Sequence, residues 1–542
     1  MDSTGTAKAR KKSKNQSPEV KFHLDLTTCS RRKDLLSAIT LCETAISEKL
    51  KFNQQHFNTL LYLCSTAISD PSLKESAVSF GFRVYNHLLS TGVVPNEATV
   101  TAVARLAAAK GDGDYAFELV KTIGKYKVTP RLRTYDPALF YFCENLEVDK
   151  AYEVEKHMNS AGVELEEPQI SALLKVSSET GKEDEVYEYL HKLRRSVKCV
   201  SESTAKTIED WFCSEKASDI GESTSDVGLI REAILSNGGG WHGKGWTGTG
   251  NWAVKRTNVY SNGKCCCCAQ QLVCADISCA ETESFAQSLA ALAIERETQP
   301  NFISFQEWLE EHNHCDTIVD GANIGLYQQN FVDSGFNLPQ VEAVVKELCK
   351  MSGGNWPLVF WHNKRTRALT DNSSHRKVVE EWINKGVLYS TPIGSNDDWY
   401  WLYAAVKLKC LLVTNDEMRD HIFELLGNEL FLRWKEKHQI RYTFVKGQLK
   451  LEMPPLYSVV IQESETGSWH VPIAGNDSEL ERTWLCVTRP GVSAASGIQL
   501  NAETSENIVA RGSCASMNVG SYNQLHDSAI ARKRKERPSS TS

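Results

Sequence analysis

The residues with the clearest chemical potential are aspartates at the ends of short apolar segments in the second half of the chain. Asp320 and Asp416 each end or follow an apolar run, and Asp397 and Asp398 stand where a helix should begin. Acids that converge on one edge of a parallel sheet repel one another unless cations lie between them. Such hard oxygen ligands suit Mg²⁺ or Mn²⁺. Helix capping is the alternative explanation for the adjacent pair.

Clustered acids that hold paired metals favour phosphodiester hydrolysis. One ion lowers the pKa of an attacking water, while the other stabilises the leaving oxygen. The segment DGANIG that begins at Asp320 is not a Walker sequence, which argues against ATP hydrolysis. Basic side chains nearby would either hold backbone phosphates or form a solvated face, and they are Lys364, Arg365, Arg367, Arg433, Lys435 and Lys437.

A second chemical signal is the run of four cysteines from Cys265 to Cys268. The spacing of these two residues allows a pair of thiolates on a tight turn to bind one tetrahedral zinc. Cys266 or Cys267 could replace a ligand inside the run. A knuckle of this kind supplies only half of a zinc site.

The best candidates for the missing half are His470, in a Trp-His-Val-Pro segment, and Cys486, in a Trp-Leu-Cys-Val segment. A zinc shared with the knuckle would join the segments on either side of residues 300–450 into one small β-rich platform. Such an ion stabilises the fold rather than catalysing a reaction. Buried free cysteines and a core histidine are the alternative interpretation.

The acids lie in a region where short strands alternate with amphipathic helices. This order predicts a parallel sheet covered by helices, with ligands bound at the carboxyl ends of the strands. The predicted strands are Thr317–Asp320, Pro357–Trp361, Gly386–Ser390 and Leu411–Thr414. The predicted helices are Pro339–Met351, Ser374–Lys385, one that follows Asp397, and Glu417–Leu426.

Residues 21–215 read as helices with a 35-residue repeat, as in the spacing of Asp114, Asp149 and Asp184. Stacked helical pairs bury their apolar faces against their neighbours and leave a long surface free for a ligand. Repeats of this length occur in peptide-binding tetratricopeptide arrays and in RNA-binding pentatricopeptide arrays. The repeat ends TGVVPN and YKVTPR resemble the pentatricopeptide pattern, in which proline closes one unit.

In pentatricopeptide proteins, two or three side chains of each repeat read one base. By this resemblance, the candidate RNA-binding residues are Asn58, Asn96, Thr101, Arg131, Asp136 and Ser171. Glu166 occupies the equivalent repeat end of a later unit. An ordinary solvated helix position is the alternative for each of them.

The composition indicates a multi-domain globular chain of 542 residues with a net charge of −7, so any nucleic-acid surface must be a local patch. Seventeen cysteines and the lack of a secretory signal favour reduced thiols in a nuclear or cytosolic protein. Basic clusters near both termini are typical of nuclear import, and solvated tails are the alternative. No apolar run approaches the length of a membrane span.

The combination of repeats, a CxxC knuckle and the segments VDGANIGLY, NDDWYWLYA and TNDEMRDH, followed by WHVP and RTWLC, resembles the protein-only RNase P family. The resemblance covers about residues 21–490 and implies a Mg²⁺-dependent endonuclease that removes the 5′ leader of precursor tRNA. It also implies a V-shaped, mainly α and α/β protein, made of a pentatricopeptide α-solenoid, a small β-rich zinc domain and an NYN/PIN-like nuclease domain.

Matched motif by motif, the catalytic and Mg²⁺-binding residues of the family fall on Asp320, Asp397, Asp398 and Asp416. Its structural zinc ligands fall on Cys265, Cys268, His470 and Cys486. The resemblance implies two catalytic Mg²⁺ or Mn²⁺ ions, one structural Zn²⁺, a precursor tRNA partner, no obligatory RNA subunit, no membrane, a monomer and a nuclear location. The run of four cysteines departs from the family pattern and leaves the ligand choice within it open.

The expected domains are a disordered basic segment 1–20, repeats over 21–215, a zinc domain over 216–300 plus 452–490, a nuclease domain over 301–451 and a disordered tail 491–542. Two other functions would use the same residues. One is a less selective endonuclease of structured RNA, and the other is an RNA-binding scaffold with an inactive nuclease module.

Overall fold

The computed structural model describes residues 17–222, 226–296, 301–329, 335–418, 428–475 and 482–489. The chain forms two compact units, Met1–Ile220 and Gly221–Ser542. The basic clusters and the tail predicted near the termini lie outside the described residues, as does most of the helix predicted over Glu417–Leu426. Within the described residues, no helix combines the length and apolar character that a membrane crossing requires.

The first unit is helical, which confirms the predicted repeat array. Its helices are α1 Pro18–Arg32, α2 Leu35–Ser47, α3 Gln54–Ala67, α4 Lys74–Ser90, α5 Glu97–Lys110, α6 Gly113–Lys121, α7 Leu132–Glu144, α8 Val148–Ser160, α9 Glu167–Thr180, α10 Glu183–Ser196, α11 Glu202–Phe212 and α12 Glu215–Asp219. A 3₁₀ turn, Ile123–Tyr126, follows α6. Consecutive helices form hairpins, and α3, α5, α7 and α9 stack on one another.

Helices α3 and α5, each the first helix of a repeat, begin with the same reciprocal pair of hydrogen bonds. In α5, the Oδ1 atom of Asn96 accepts the Thr99 amide at 3.0 Å, and the Thr99 hydroxyl accepts the Asn96 amide at 3.3 Å. Reciprocal bonds of this kind satisfy amides that have no partner inside the helix. The apolar stripe behind them is fully buried at Leu60, Val103 and Leu139, and each such side chain stabilises the stack by roughly 1.5–3 kcal/mol.

The second unit contains helices α13 Val227–Ser236, α14 Cys279–Arg296, α15 Asn301–Glu311, α16 Gly321–Leu326, α17 Leu338–Met351, α18 Asn363–Asp371, α19 Ser373–Asn384, α20 Asp397–Lys407 and α21 Asn428–His438. Its strands are β1 Ala253–Thr257, β2 Thr317–Asp320, β3 Leu358–His362, β4 Leu388–Thr391, β5 Leu411–Val413, β6 Gln439–Val445, β7 Gln448–Glu452, β8 Gln462–Glu463, β9 Trp469–Pro472 and β10 Trp484–Thr488.

The larger sheet has the strand order β4-β3-β2-β5-β6-β7, in which all neighbours pair in parallel except β6 and β7. Successive residues of a strand face opposite sides of the sheet. Ile318 therefore packs in a core with α14, α15 and α20, whereas Val319 packs in a second core with α17 and α19. The predicted α/β sheet covered by helices is confirmed.

The smaller sheet has the antiparallel order β1-β10-β9-β8. Its strands come from both sides of the larger sheet in sequence, as predicted for the β-rich platform. Residues Ser458 and Gln462 fasten the intervening chain, since they bond to the backbone of Ala275 and Val273. The platform is therefore closed by contacts between segments that are far apart in sequence.

Helix α18 is absent from the predicted elements. It spans a basic run and buries only Leu369, so an apolar period is lacking. Its attachment comes from polar contacts instead. The Thr366 hydroxyl accepts the Trp361 indole N–H at 2.9 Å and bonds with the Ser390 hydroxyl at 2.5 Å, which fixes α18 to β3 and β4.

A partly buried acid, Glu97, links two successive repeats of the first unit. The Arg133 guanidinium donates to both oxygens of Glu97, at 2.8 and 2.5 Å, and the Thr134 hydroxyl donates at 3.0 Å. Hydrogen bonding from Arg133, opposed by burial, lowers the pKa of Glu97 to about 2. The stability that this pair contributes is complete above the ordinary glutamate pKa and is lost as the pH falls through about 2.

We expect Arg133→Gln to shift the acid unfolding of the full chain to higher pH, because the pKa of Glu97 returns towards its ordinary value. Far-UV circular dichroism over a pH series measures the shift. Arg131→Gln, two residues away, is the control and should leave the acid midpoint unchanged. An unchanged midpoint in Arg133→Gln would show that the pair contributes nothing to acid stability.

Candidate active site and zinc centre

The four predicted acids lie at the carboxyl edge of the larger sheet. From β2 the chain moves to β3 and β4 on one side and then crosses to β5 on the other, so the order reverses beside β2. In doubly wound sheets, ligands bind in the crevice at this reversal point. Asp320 ends β2 and Asp416 follows β5, which places them on the two strands that flank the crevice.

Asp320 is the buried member of the group, with 3% of its surface exposed. Its Oδ1 atom accepts the Asn323 amide at 3.0 Å, and its Oδ2 atom accepts the Thr414 hydroxyl at 2.9 Å. Burial raises the pKa of Asp320 well above its usual range, the Asn323 amide opposes the rise, and the charges of Asp397 and Asp398 add to it. A nearby cation would favour the charged carboxylate.

Asp397 and Asp398 form the first turn of α20. The cap of this helix is Asn396, whose Oδ1 atom accepts the Asp398 amide at 3.1 Å, so the aspartates are not required for capping. Burial raises the pKa of Asp397, and its own backbone amide, His362 and Arg365 oppose the rise. The pair therefore stands beside basic groups from the neighbouring β3–α18 segment.

Asp416 is tied to Asp320 through one side chain. The Thr414 hydroxyl that donates to Asp320 also accepts the Asp416 amide at 3.1 Å. The Oδ1 atom of Asp416 accepts the Met418 amide at 2.7 Å, which shapes the loop after β5. Thr414, itself fully buried, thus couples the two acids that flank the crevice.

A second network holds the same loop in place. The Oδ1 atom of Asn323 accepts the Tyr442 hydroxyl at 2.6 Å and the Asn415 amide at 3.1 Å. Asn415 in turn bonds to the backbone of Tyr442 through both ends of its amide, at 2.7 and 3.1 Å. Three segments, from α16, β5 and β6, are therefore fixed relative to one another at the crevice.

The donor set suits a hydrated divalent ion. Among the described residues, no three of the acids bring ligand atoms within 4.8 Å of one another, and a Cys/His cluster at the smaller sheet is the one group that does. Mg²⁺ keeps several waters and is usually bound by one or two carboxylates together with substrate phosphates. The acids fit that mode of binding rather than a cage made wholly of protein ligands.

Three residues of this site, His362, Thr414 and Asn323, were not predicted from the sequence. His362 ends β3 at the same sheet edge and would follow from the strand-end rule that identified Asp320, had the strand been extended by one residue. Thr414 and Asn323 carry no such signal, because their roles depend on which strands become neighbours.

The four predicted zinc ligands meet in the second unit. The ligand atoms of Cys265, Cys268, His470 and Cys486 all lie within 4.8 Å of one another. Cys486 stands directly opposite His470 on the paired strands β10 and β9. Cys268 Sγ lies 3.2 Å from His470 Nε2, and donors on one tetrahedral zinc are separated by roughly 3.3–3.8 Å.

The electrostatics of the cluster also fit zinc. Hydrogen bonds from Cys268 and Cys486 lower the pKa of Cys265, which favours the thiolate that zinc requires. Burial lowers the pKa of His470, but bonds to the thiolates of Cys265 and Cys268 outweigh it and raise that pKa to about 9. A bound zinc would replace these shared protons. The exposed Cys266 and Cys267 stay outside the cluster.

Three of the predicted base-facing residues each bond to a side chain of the next repeat, and these bonds form a ladder. The Thr99 hydroxyl donates to Asn58 Oδ1 at 2.8 Å, the Thr101 hydroxyl bonds with Thr134 at 3.2 Å, and Gln169 donates to Asp136 at 2.8 Å. Each step joins the first helix of one repeat to the first helix of the next.

The remaining candidates flank this ladder. Asn96 accepts the amide of Asn58 at 3.3 Å. Arg131 and Glu166 occupy the N-cap positions of α7 and α9, and Ser171 lies half-buried within α9. An RNA base that reached Asn58, Thr101 or Asp136 would therefore exchange a bond within the protein for one of its own.

Two family models match the chain. Residues 9–219 match the pentacotripeptide-repeat region of PRORP, and residues 259–486 match the protein-only RNase P family. Proteinaceous RNase P 2 of Arabidopsis thaliana is 57% identical over 91% of this chain and 96% of the relative. Proteinaceous RNase P 3 of the same plant is 59% identical over 89% of this chain and 86% of the relative.

The chain belongs to the protein-only RNase P family. A crystal structure of nuclear proteinaceous RNase P 2 from A. thaliana, 58% identical, aligns with a TM-score of 0.78 over 88% of this chain and all of that one. Family membership makes the chain an RNase P-type endoribonuclease, as the sequence predicted. It also confirms the predicted architecture of pentatricopeptide repeats followed by an α/β domain, together with a separate Cys/His cluster that fits a zinc site.

We expect Cys268→Ala to remove zinc and lower the Tm by at least about 5 °C, because binding of a structural metal stabilises the fold. Inductively coupled plasma mass spectrometry gives the zinc content of the purified chain, and differential scanning calorimetry gives the Tm. Cys267→Ala, a change at an exposed neighbour in the same run, is the control and should retain the metal. Full zinc content in Cys268→Ala would exclude Cys268 as a ligand.

We expect Thr414→Val to lower RNA cleavage about 10- to 100-fold, the usual cost of losing a group that orients metal-binding carboxylates. The change keeps the shape of the side chain but removes the hydroxyl that joins Asp320 and Asp416. Thr414→Ser keeps the hydroxyl and should retain most activity. Single-turnover rates over a Mg²⁺ series test the prediction, and equal rates in Thr414→Val and wild type would contradict it.

Proposed function

We propose that this protein removes the 5′ leader of precursor tRNA by Mg²⁺-dependent hydrolysis and leaves a 5′-phosphate on the mature end. The carrying observation is the placement of Asp320, Asp397, Asp398 and Asp416 around the reversal point of the sheet, in a chain of the protein-only RNase P family. No Walker sequence or other nucleotide loop competes for that crevice in the sequence.

Two divalent ions, Mg²⁺ or Mn²⁺, would supply an activated water and stabilise the leaving oxygen. We assign Asp398 and Asp416 to direct metal binding, and Asp320 and Asp397 to completing or orienting the ligand shell. Asp320 is suited to an orienting role because both of its oxygens already accept a bond from the protein. Asp416 keeps one oxygen clear of the Met418 bond.

The surrounding residues hold these acids before RNA arrives. Thr414 keeps Asp320 and Asp416 in register, and the network of Asn323, Asn415 and Tyr442 fixes the loop that carries Asp416. Preorganised ligands avoid the cost of rearrangement during the reaction. The chain thereby contributes position, while the metals contribute the chemistry at the phosphate.

The repeat unit, in this proposal, binds the folded elbow of tRNA, where exposed bases can be stacked or read. Asn58, Asn96, Thr101, Arg131, Asp136 and Ser171 are the proposed RNA contacts. The protein would act as a monomer without an RNA subunit, with a structural zinc on the Cys/His cluster. We place it in the nucleus, in keeping with the basic termini and with the nuclear relative of known structure.

We expect Asp398→Ala and Asp416→Ala to lower cleavage of a 5′-extended tRNA at least about 10³-fold while leaving precursor binding within about threefold. Single-turnover cleavage with primer-extension mapping of the cut end measures the first effect, and fluorescence anisotropy measures the second. Asp316→Ala is the matched control, because Asp316 precedes β2 and lies at the opposite edge of the sheet.

Two outcomes would overturn the proposal. Cleavage by both aspartate variants at the wild-type rate would remove the acids from the reaction. Equal cleavage of precursor tRNA and of an unstructured RNA of the same length by the wild-type chain would instead indicate a less selective endonuclease.

A further inference from the structure

Helix α18 stands beside the acids and carries positive charge that the protein itself does not neutralise. Lys364, Arg365 and Arg367 have no ion-pair partner among the described residues. Two of the other predicted basic residues, both on α21, form ion pairs within the protein. Arg433 pairs with Glu281 at 3.0 Å, and Lys435 pairs with Glu417 at 3.2 Å.

Arg365 is the member of this group that is held in one place. Its guanidinium lies over the ring of Phe336, 5.3 Å from the centroid. That ring packs edge-on against Trp361 at 5.7 Å. A Cβ atom at Gly325 would come within 2.3 Å of the same ring, so the glycine is what lets the ring lie there.

The position of Arg365 relative to the reaction site follows from the strand ends. β3 ends at His362, whose Nδ1 atom accepts the Lys364 amide at 3.1 Å and so starts α18 at the edge that carries the acids. No carboxylate of the described residues takes the guanidinium as an ion pair.

We propose that Arg365, braced on Phe336, binds a backbone phosphate of RNA next to the scissile bond, and that α18 is the RNA-facing surface of the nuclease domain. Arginine suits this role because its planar fork can stack on a ring and still donate two bonds to a phosphate. The inference rests on the proposed function, since it assigns a further substrate contact to the same site.

The location of the surface explains why its charges are left unpaired. An RNA strand that enters the acid edge brings its phosphates towards four carboxylates, and a cationic helix beside them offsets that repulsion. Lys364 and Arg367 lie one turn apart on the exposed side of α18 and extend the same surface. Arg433 and Lys435 on α21 are already held in ion pairs with acids of the same chain.

The test compares Arg365→Gln, Arg365→Lys and Lys350→Gln in the full chain. Lys350 is an exposed lysine in the last turn of α17, just before β3 starts, so it lies at the edge of the sheet opposite the acids. Lys350→Gln therefore removes one positive charge outside the proposed RNA-facing surface of α18. All three variants should keep the wild-type Tm, which separates binding effects from misfolding.

We expect Arg365→Gln to raise KM for precursor tRNA about tenfold with kcat within about threefold. Binding is also measured over a KCl series at fixed Mg²⁺, on an Asp398→Asn background that does not cleave. Loss of one phosphate contact should reduce the slope of log K against log salt by about 0.7–0.9. Arg365→Lys should recover most of the slope but only part of the KM, and Lys350→Gln should match the wild type.

A wild-type KM and salt slope in Arg365→Gln would overturn the inference, as would equal effects from Lys350→Gln. A fall in kcat alone would also overturn it, because that outcome assigns Arg365 to the acids rather than to RNA binding. If the wild-type chain does not cut precursor tRNA, the proposed function fails first, so the two failures are distinguishable.

Discussion

Repulsion between carboxylates at one sheet edge is the constraint on which the nuclease domain depends. Asp320 is buried, and the charges of Asp397 and Asp398 reach it from the start of α20. Interactions of this kind are strong where solvent is excluded. A divalent cation at this edge would offset the repulsion between the carboxylates.

The rest of the domain keeps these acids from moving apart. Parallel pairing of β2 with β3 and β5 forms the edge of the sheet that carries the acids. Packing of α20 against β2 and β3 fixes the position of the first turn of α20 relative to that edge. Trp399 and Tyr400, which follow the acid pair, are buried in the core and hold that turn down. A zinc on the Cys/His cluster would act in the same way at longer range, since its ligands come from both sides of the nuclease domain in sequence.

Strand ends made Asp320 and Asp416 predictable, because an apolar run that stops at or just before an aspartate is visible without knowing the fold. The predicted zinc ligands were harder to identify from the sequence, and the choice of His470 and Cys486 became specific only through a family resemblance. Contacts across paired elements could not be predicted from the residues themselves. The Thr414 bridge and the bonds of Asn323 to Tyr442 require β5 and β6 to lie beside β2. The same holds for the ladder between repeats, where Asp136 meets Gln169.

The distribution of charge over the chain indicates where RNA would be attracted. A chain with a net charge of −7 repels a polyanion at long range, so attraction must come from places where positive charge is left unpaired. On α21, Arg433 and Lys435 form ion pairs with acids of the same chain and so stabilise the fold. On α18 the basic groups face outward beside the acids, and polar bonds from Thr366 replace the apolar packing that would have buried the helix. A weakly buried, cationic helix next to the carboxylates gives this edge of the sheet two opposite charges within one helical length, an arrangement that would orient a phosphate backbone as well as attract it.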